Sequence, residues 1–268
     1  MIGLLVRIFS RPLRQCSCRL RYSDRPKCGC GNMDSSNLNL LQKKSASFRL
    51  CNVSGHTTEL LEIGVQNPTL QLIVIPGNPG VVTFYKEFVE SLYHLFEGRA
   101  SVTAVGHISH TKKDWENGKL FSLEEQIEHK VDFLKHELVN TEATVVLVGH
   151  SIGAYISLEV FRRVSELVAY CIGLYPFLAL DMQSSKQSMI GKLSASSILC
   201  TALSSLAGIL GLLPNWVSKY LVKNSVGISW SVTAAEAACT HLLQYHTLRN
   251  VLFMAMTEFR KRNLTGQL

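Results

Sequence analysis

Acidic residues, metal-type cysteine spacing and internal repetition are all scarce in this chain. Its 268 residues hold 27 Lys/Arg and 20 Asp/Glu, a formal net charge of +7. The shortage of acids is local. Residues 1–32 contain Arg7, Arg11, Arg14, Arg19, Arg21, Arg25 and Lys27 against the single acid Asp24, which leaves 20 basic and 19 acidic residues for the rest. A body so nearly balanced lacks the broad basic surface that nucleic acid requires, so no nucleic-acid partner is expected. No two cysteines have C-x-x-C spacing. Cys16, Cys18, Cys28 and Cys30 form two C-x-C pairs in the basic stretch, which is not the spacing of a zinc knuckle, so no metal is expected. Cys51, Cys171, Cys200 and Cys239 stand alone in apolar contexts, as free thiols do in a reducing compartment. The absence of repeats and of low-complexity tracts excludes solenoids and fibrous architectures. What remains is a chain long enough for one domain with a large core and an insertion.

Residues 1–44 read as a disordered basic leader. Two readings stay open for it: a transit peptide for organelle import, or an extension preceding a body that starts at Met33. The apolar run Ile2–Phe9 contains Arg7 and is too short to span a bilayer.

The chemistry concentrates at Val145–Gly153, V-V-L-V-G-H-S-I-G. A β-type run from Thr144 to Val148 meets Gly149-His150-Ser151-Ile152-Gly153, and the amphipathic stretch Ala154–Arg163 follows. Strand, G-x-S-x-G, helix is the order of a nucleophile elbow. Ser151 is the candidate nucleophile. The amide of Ile152, at a helix N-terminus, is a candidate oxyanion donor. The plainer alternative is a βα turn that merely contains a serine. A second apolar strand, Gln71–Ile75, runs into Pro76-Gly77-Asn78-Pro79-Gly80. In α/β-hydrolases such a loop supplies the other oxyanion N–H. Pro79 has none, so the amide of Asn78 is the candidate. The alternative is a Pro/Gly turn without a catalytic role.

Elsewhere, Ser45–Val53 and His56–Val65 alternate as two strands joined at Val53-Ser54-Gly55. Phe84–Phe96 reads as a helix stopped by Gly98, and Ser101–Val105 as a strand. Ser122 and Glu125 form a capping box ahead of a helix whose stripe is Leu123, Ile127, Val131, Leu134 and Leu138. Ala169–Leu174 reads as a further strand. Strands alternating with helices require a doubly wound, mainly parallel sheet. His107 and His110, in a loop, are expected to be solvated or locally bonded rather than catalytic. His129 and His136 are assigned to the polar face of their helix, and His150 to packing beside the nucleophile.

The combination P-G-N-P-G with Phe84-Tyr85, Gly106-His107-Ile108-Ser109-His110, Gln126-Ile127-Glu128-His129-Lys130 and G-H-S-I-G resembles the lipid-droplet-associated hydrolase family, its plant members most closely. The resemblance runs from about Leu70 to the C-terminus. It implies an α/β-hydrolase fold and Ser151 as nucleophile. It also implies residence on lipid droplets and the endoplasmic reticulum, and ester hydrolysis without a cofactor. Partners would be the lipid-droplet monolayer and a neutral lipid substrate; no protein partner can be read.

From Leu193 to Ser218 there is no charge at all. Exposed to water, so long an apolar insertion would be unfavourable. Residues 186–226 therefore read as a lipid-inserting cap anchored by Trp216, Lys219, Tyr220 and Lys223, in keeping with the hydrophobic insertion of the resembled family. A bilayer-spanning helix and a buried core helix remain alternatives. The expected organisation is a leader at 1–44, a hydrolase core at 45–185, and an apolar helical cap with a shortened C-terminal part at 186–268.

Acids and histidines run short after Ser151: Asp181, Glu159, Glu166, Glu236 and Glu258, with His241 and His246. The resemblance implies two more strands carrying a catalytic acid and His, which this sequence does not contain. The expectation is a form with its last strands missing, an open sheet edge and little or no turnover; Asp181 with His246 is a non-standard pair to test. A non-catalytic droplet-binding protein is the alternative.

Overall fold

The computed structural model describes residues 44–138, 141–181, 183–226 and 230–265. The expectations for the basic leader and its C-x-C pairs lie outside these residues.

Six strands form one sheet: β1 (Ser47–Val53), β2 (His56–Ile63), β3 (Leu70–Ile75), β4 (Ala100–Val105), β5 (Thr144–His150) and β6 (Tyr170–Leu174). Their order is β1-β2-β4-β3-β5-β6. β1 and β2 are antiparallel to their neighbours, while β4, β3, β5 and β6 are parallel. Val53 pairs with His56, so only Ser54 and Gly55 turn the hairpin, at φ of 49° and 88°. Such a two-residue turn needs positive φ at both central positions, which Gly55 adopts without strain.

Strand alternation divides the core into two layers. Ile73, Ile75, Val145 and Leu147 face helices α2 (Leu123–Glu137) and α3 (Ile152–Arg163). Leu72, Val74, Val146 and Val148 face α1 (Lys86–Leu95), which contributes Val89 and Tyr93. Helices on both faces of a mainly parallel sheet are the doubly wound arrangement expected. The capping box is complete: the Ser122 hydroxyl accepts from Glu125 N, and Ser122 N donates to the Glu125 carboxylate at 2.7 Å. β6 lies at one edge of the sheet, with Tyr170 and Ile172 exposed.

Beyond β6 the chain is helical. α4 (Ser185–Ala195), α5 (Ser197–Gly211), α6 (Asn215–Val226), α7 (Val232–Ala237), a π-turn at Ala238–Leu242 and α8 (Tyr245–Thr265) follow in order. They hold a third apolar cluster that includes Cys200, Ala207, Val222, Leu242, Leu248 and Val251, joined to the core through Val81 and Phe84. Among the described residues no single helix is long and apolar enough to cross a membrane. By length and composition alone, the pair α4 and α5 could do so, but it is bent by 91°. α5 is half-buried: Cys200, Ser204 and Ala207 face the cluster, and Ile198, Leu199 and Ile209 face outward.

One expectation for α2 is corrected. Its apolar stripe is buried and His136 is exposed, but His129 lies inside the protein, as do Gln126 and Lys130. The helix is covered on two sides, by the sheet and by the 106–111 loop. On the second side Gln126 and Lys130 bond the backbone of that loop, and His129 reaches the Thr58 hydroxyl on β2.

Candidate active site

Ser151 lies between β5 and α3 with φ 55° and ψ −121°. A non-glycine residue held there carries about 1–3 kcal/mol of strain, so its neighbours must impose it. They do so on both sides of the residue. Ser151 N donates to Leu174 O at 3.0 Å, and Phe177 N donates to Ser151 O at 3.0 Å. The flanking glycines are sterically required. A Cβ on Gly149 would sit 2.4 Å from Gly153 O, and one on Gly153 would sit 2.2 Å from Ile75 O. The elbow therefore forms because strand, turn and helix backbones approach closer than any side chain allows.

The 76–80 loop packs directly on the elbow. A Cβ on Gly77 would lie 3.2 Å from Ser151 Cβ and 3.3 Å from His150 Nδ1. Two amides of this loop are bonded to buried side chains. Gly77 N donates to the Tyr85 hydroxyl at 2.8 Å, Gly80 N donates to His110 Nδ1 at 2.8 Å, and Pro79 has no N–H. The Asn78 amide, the oxyanion candidate read from the sequence, lies between these two bonded glycine amides. Its side chain is engaged elsewhere, donating to Val251 O at 2.9 Å and to Glu258 at 3.1 Å on α8. The other candidate donor, Ile152 N–H, belongs to the first turn of α3, where amides have no partner within the helix.

Behind the loop lies a buried polar layer. His107 N donates to Gly80 O at 3.0 Å. A Cβ on Gly80 would fall 2.1 Å from the His107 ring, so this loop and this histidine fit only with glycine. Gln126 makes two hydrogen bonds to Ile108, accepting from its N at 2.9 Å and donating to its O at 3.2 Å. Lys130 donates to Gly106 O at 2.7 Å and to His129 Nδ1 at 2.9 Å, and His129 Nε2 meets the Thr58 hydroxyl at 2.7 Å. Q-I-E-H-K is thus a clamp on the G-H-I-S-H loop, which in turn holds P-G-N-P-G. Among the described residues, the buried side-chain atoms without a hydrogen-bond partner are Asn78 Oδ1, both His107 nitrogens, Ser109 Oγ and His110 Nε2. All five lie on these two loops. The His107 ring faces the Pro76 carbonyl without closing a hydrogen bond to it.

Burial disfavours charge in this layer. It holds His107 well below the usual imidazole range and brings His110 down to about 3, with the Lys130 charge adding to both shifts. Burial also pulls Lys130 down to about 7. The Tyr85 phenol is pushed up by burial and stays protonated, so it can donate to His150 Nδ1 at 2.8 Å. His107 and His110 are therefore not solvated loop histidines. They are buried supports of the 76–80 loop.

The candidate triad partners do not assemble. His246 Nε2 donates to Thr111 O at 2.9 Å, and His241 contacts Glu59 at 3.2 Å and Thr240 at 2.8 Å. Asp181 is exposed and accepts from Gln183 N, so the Asp181–His246 pair does not form. No group of three or more His, Cys, Asp or Glu side chains able to hold a metal occurs among the described residues. In the sequence Tyr85, Gln126 and Lys130 figure only within motifs and Glu258 only among the late acids, with no role given to any of them. The signal for two of them was a Gln and a Lys on an amphipathic helix, placed where they flank its apolar stripe.

A mainly parallel, doubly wound sheet with a positive-φ serine at a β5–α3 elbow defines an α/β-hydrolase fold. Solved structures share it. An epoxide hydrolase, CorEH, matches with a TM-score of 0.60 at 12% identity over 82% of this chain and 77% of that one. A membrane phospholipase A, a bacterial virulence factor, matches with a TM-score of 0.54 at 14% identity over 81% and 64%. The chain belongs to the lipid-droplet-associated hydrolase family, whose profile matches residues 68–263. Proteins of that name from Dictyostelium discoideum and Gallus gallus are 33% and 32% identical over 219 and 212 residues, covering 77% and 72% of this chain. One from Homo sapiens is 33% identical over 178 residues, covering 57% of this chain. The aligned stretches span 68%, 63% and 52% of those three relatives.

Proposed function

We propose that this chain is a serine ester hydrolase of the lipid-droplet surface, acting on neutral lipid esters such as a sterol ester or an acylglycerol in lipid storage or turnover. The observation that carries the reading is the backbone of Ser151, strained at φ 55° beside a loop that leaves one amide, that of Asn78, for a ligand. In the reaction Ser151 Oγ attacks the acyl carbonyl. The amides of Asn78 and Ile152 receive the oxyanion, the alcohol leaves with a proton, and water releases the acid. The name of the relatives supports the lipid-droplet location; the endoplasmic reticulum surface, which presents similar headgroups, is part of the same proposal. The division of labour we assign is a hydrolase core at 45–185 and a lipid-facing cap from 186 onward. Ile198, Leu212 and Trp216 are 82%, 86% and 74% exposed, with Lys186, Lys192 and Lys223 exposed on the same segment. A phospholipid monolayer would cover those side chains and meet those charges.

A second reading is a droplet-binding protein that keeps the elbow as architecture. It is favoured by His241 and His246, both of which have partners away from Ser151. Without a general base the serine hydroxyl is not activated. Fluorophosphonate labelling of the purified chain, with Ser151→Ala as control, separates the two. Labelling that disappears in the variant supports the enzyme. Absence of labelling from a folded protein that still floats with phospholipid-coated triolein supports the binding protein.

A further inference from the structure

We propose that Tyr85 and His110 are positioning residues for the Asn78 amide, and that they act as a pair from opposite ends of the 77–80 loop. The inference rests on the reading of Ser151 as nucleophile and Asn78 as oxyanion donor, and it assigns two side chains that touch neither substrate nor the reacting atoms.

A four-residue loop offering one amide to a ligand must hide its others, or the orientation of the peptide planes is not fixed. Here the hiding is done by two buried acceptors at equal distance. The Tyr85 hydroxyl takes Gly77 N–H and His110 Nδ1 takes Gly80 N–H, each at 2.8 Å. Both side chains are buried, at 5% and 1% exposure. Neither acceptor can drift. Tyr85 is held by its own donation to His150 Nδ1, the residue before the nucleophile, so one hydroxyl links the loop to the elbow. His110 sits in the loop that Gln126 and Lys130 clamp through Ile108 and Gly106. The His107 N–H to Gly80 O bond adds a second tie at the same glycine. Protonation would remove the Nδ1 lone pair of His110, and burial opposes it, so the acceptor persists at neutral pH. The peptide of Asn78 is thus pinned one residue before and two residues after, and its N–H direction follows from both ends. A displacement of about 1 Å at such a donor is enough to lose on the order of 100-fold in rate.

The test uses the full chain and two readouts. Hydrogen–deuterium exchange of the peptide containing Gly77, Asn78 and Gly80 is compared with that of the β1–β2 hairpin in wild type, His110→Ala, His110→Asn and Tyr85→Phe. In parallel, the rate of fluorophosphonate labelling of Ser151 is measured. His110→Ala and Tyr85→Phe are expected to speed exchange in the loop roughly tenfold with the hairpin unchanged. His110→Asn, which offers an acceptor near the position of Nδ1, is expected to restore most of the protection. Labelling is expected to fall about 100-fold in the first two variants and recover in the Asn variant. A merely structural role would move hairpin and loop together and would not distinguish Asn from Ala. Exchange that rises equally in both peptides, or an Asn variant no better than Ala, overturns the proposal. If wild-type Ser151 does not label while the loop still responds selectively, the nucleophile reading fails and the clamp stands. Should His110→Ala not fold, Tyr85→Phe decides alone through the same two measurements.

Discussion

Lys130 donates to the ring of its own sequence neighbour, His129, at 2.9 Å, and both side chains are buried with no carboxylate among their hydrogen-bond partners. An ammonium so placed is costly, and burial lowers its pKa from 10.5 to about 7. The folded protein gives up this proton near pH 7, whereas the unfolded chain keeps it to about 10.5. Between those values the unfolded state binds more protons, so stability rises with pH. Wild type is expected to gain about 2 kcal/mol between pH 7 and pH 9 relative to Lys130→Met, read from urea denaturation at each pH. Equal pH responses in the two proteins would show that Lys130 is not the source.

The glycines of this fold are not equivalent. Gly153 approaches the carbonyls of Ile75 and Pro76 so closely that a Cβ would stand 2.2 and 2.3 Å from them. Backbone cannot yield as a flexible side chain can, so Gly153→Ala should lose roughly 3 kcal/mol or more, or fail to fold. Gly64, after β2, has nothing within 4 Å of a built Cβ and no positive φ. Gly64→Ala should therefore be neutral or stabilising by about 0.5 kcal/mol, because alanine restricts only the unfolded chain. Thermal unfolding of the pair checks both signs.

The cap makes a prediction about surfaces rather than stability. Leu212 and Trp216 are among the most exposed large apolar side chains and flank the turn between α5 and α6. Burying such a side chain is worth about 1.5–3 kcal/mol, so Leu212→Ser and Trp216→Ser should each weaken binding to phospholipid-coated triolein emulsions roughly tenfold. Thermal stability should be unchanged, since neither side chain packs inside. A flotation assay that finds both variants bound like wild type would remove this face from the lipid contact.

The elements and the elbow were legible because they rest on local signals. Hairpin turn, capping box and G-x-S-x-G each need particular residues at fixed offsets, and each formed where expected. The support beneath the site was not legible. The apolar stripe of α2 placed His129 on the outside, since helical periodicity assigns polar residues to water. Here a loop from residues 106–111 lies on that side and is bonded by Gln126 and Lys130, while His129 reaches the Thr58 hydroxyl on β2, so all three are buried for their polarity. Such pairing joins residues up to 71 apart in sequence and leaves no periodic trace. Likewise the link from Asn78 to Glu258 spans 180 residues, and only the folded arrangement of α8 brings them together.

The buried His110 sets the acid limit. Burial lowers its pKa from 6.5 to about 3, with the charges of Lys130 and His246 acting in the same direction. The folded form keeps the ring neutral, which Gly80 N–H requires, while the unfolded chain takes up a proton below about 6.5. The stability is present above pH 6.5 and is lost as the pH falls toward 3. Between pH 7 and pH 5 this one group should cost about 2 kcal/mol. His110→Asn cannot titrate and still offers an acceptor, so its denaturation midpoint should fall less over that interval by the corresponding amount. His107 remains in the variant and keeps part of the acid sensitivity, which makes the difference between the two proteins, not the slope of either, the quantity to measure. A variant that acidifies in parallel with wild type would mean that His110 is protonated in the folded state. Gly80 N–H would then lack its acceptor, and only the His107 N–H bond to Gly80 O would tie that end of the 77–80 loop.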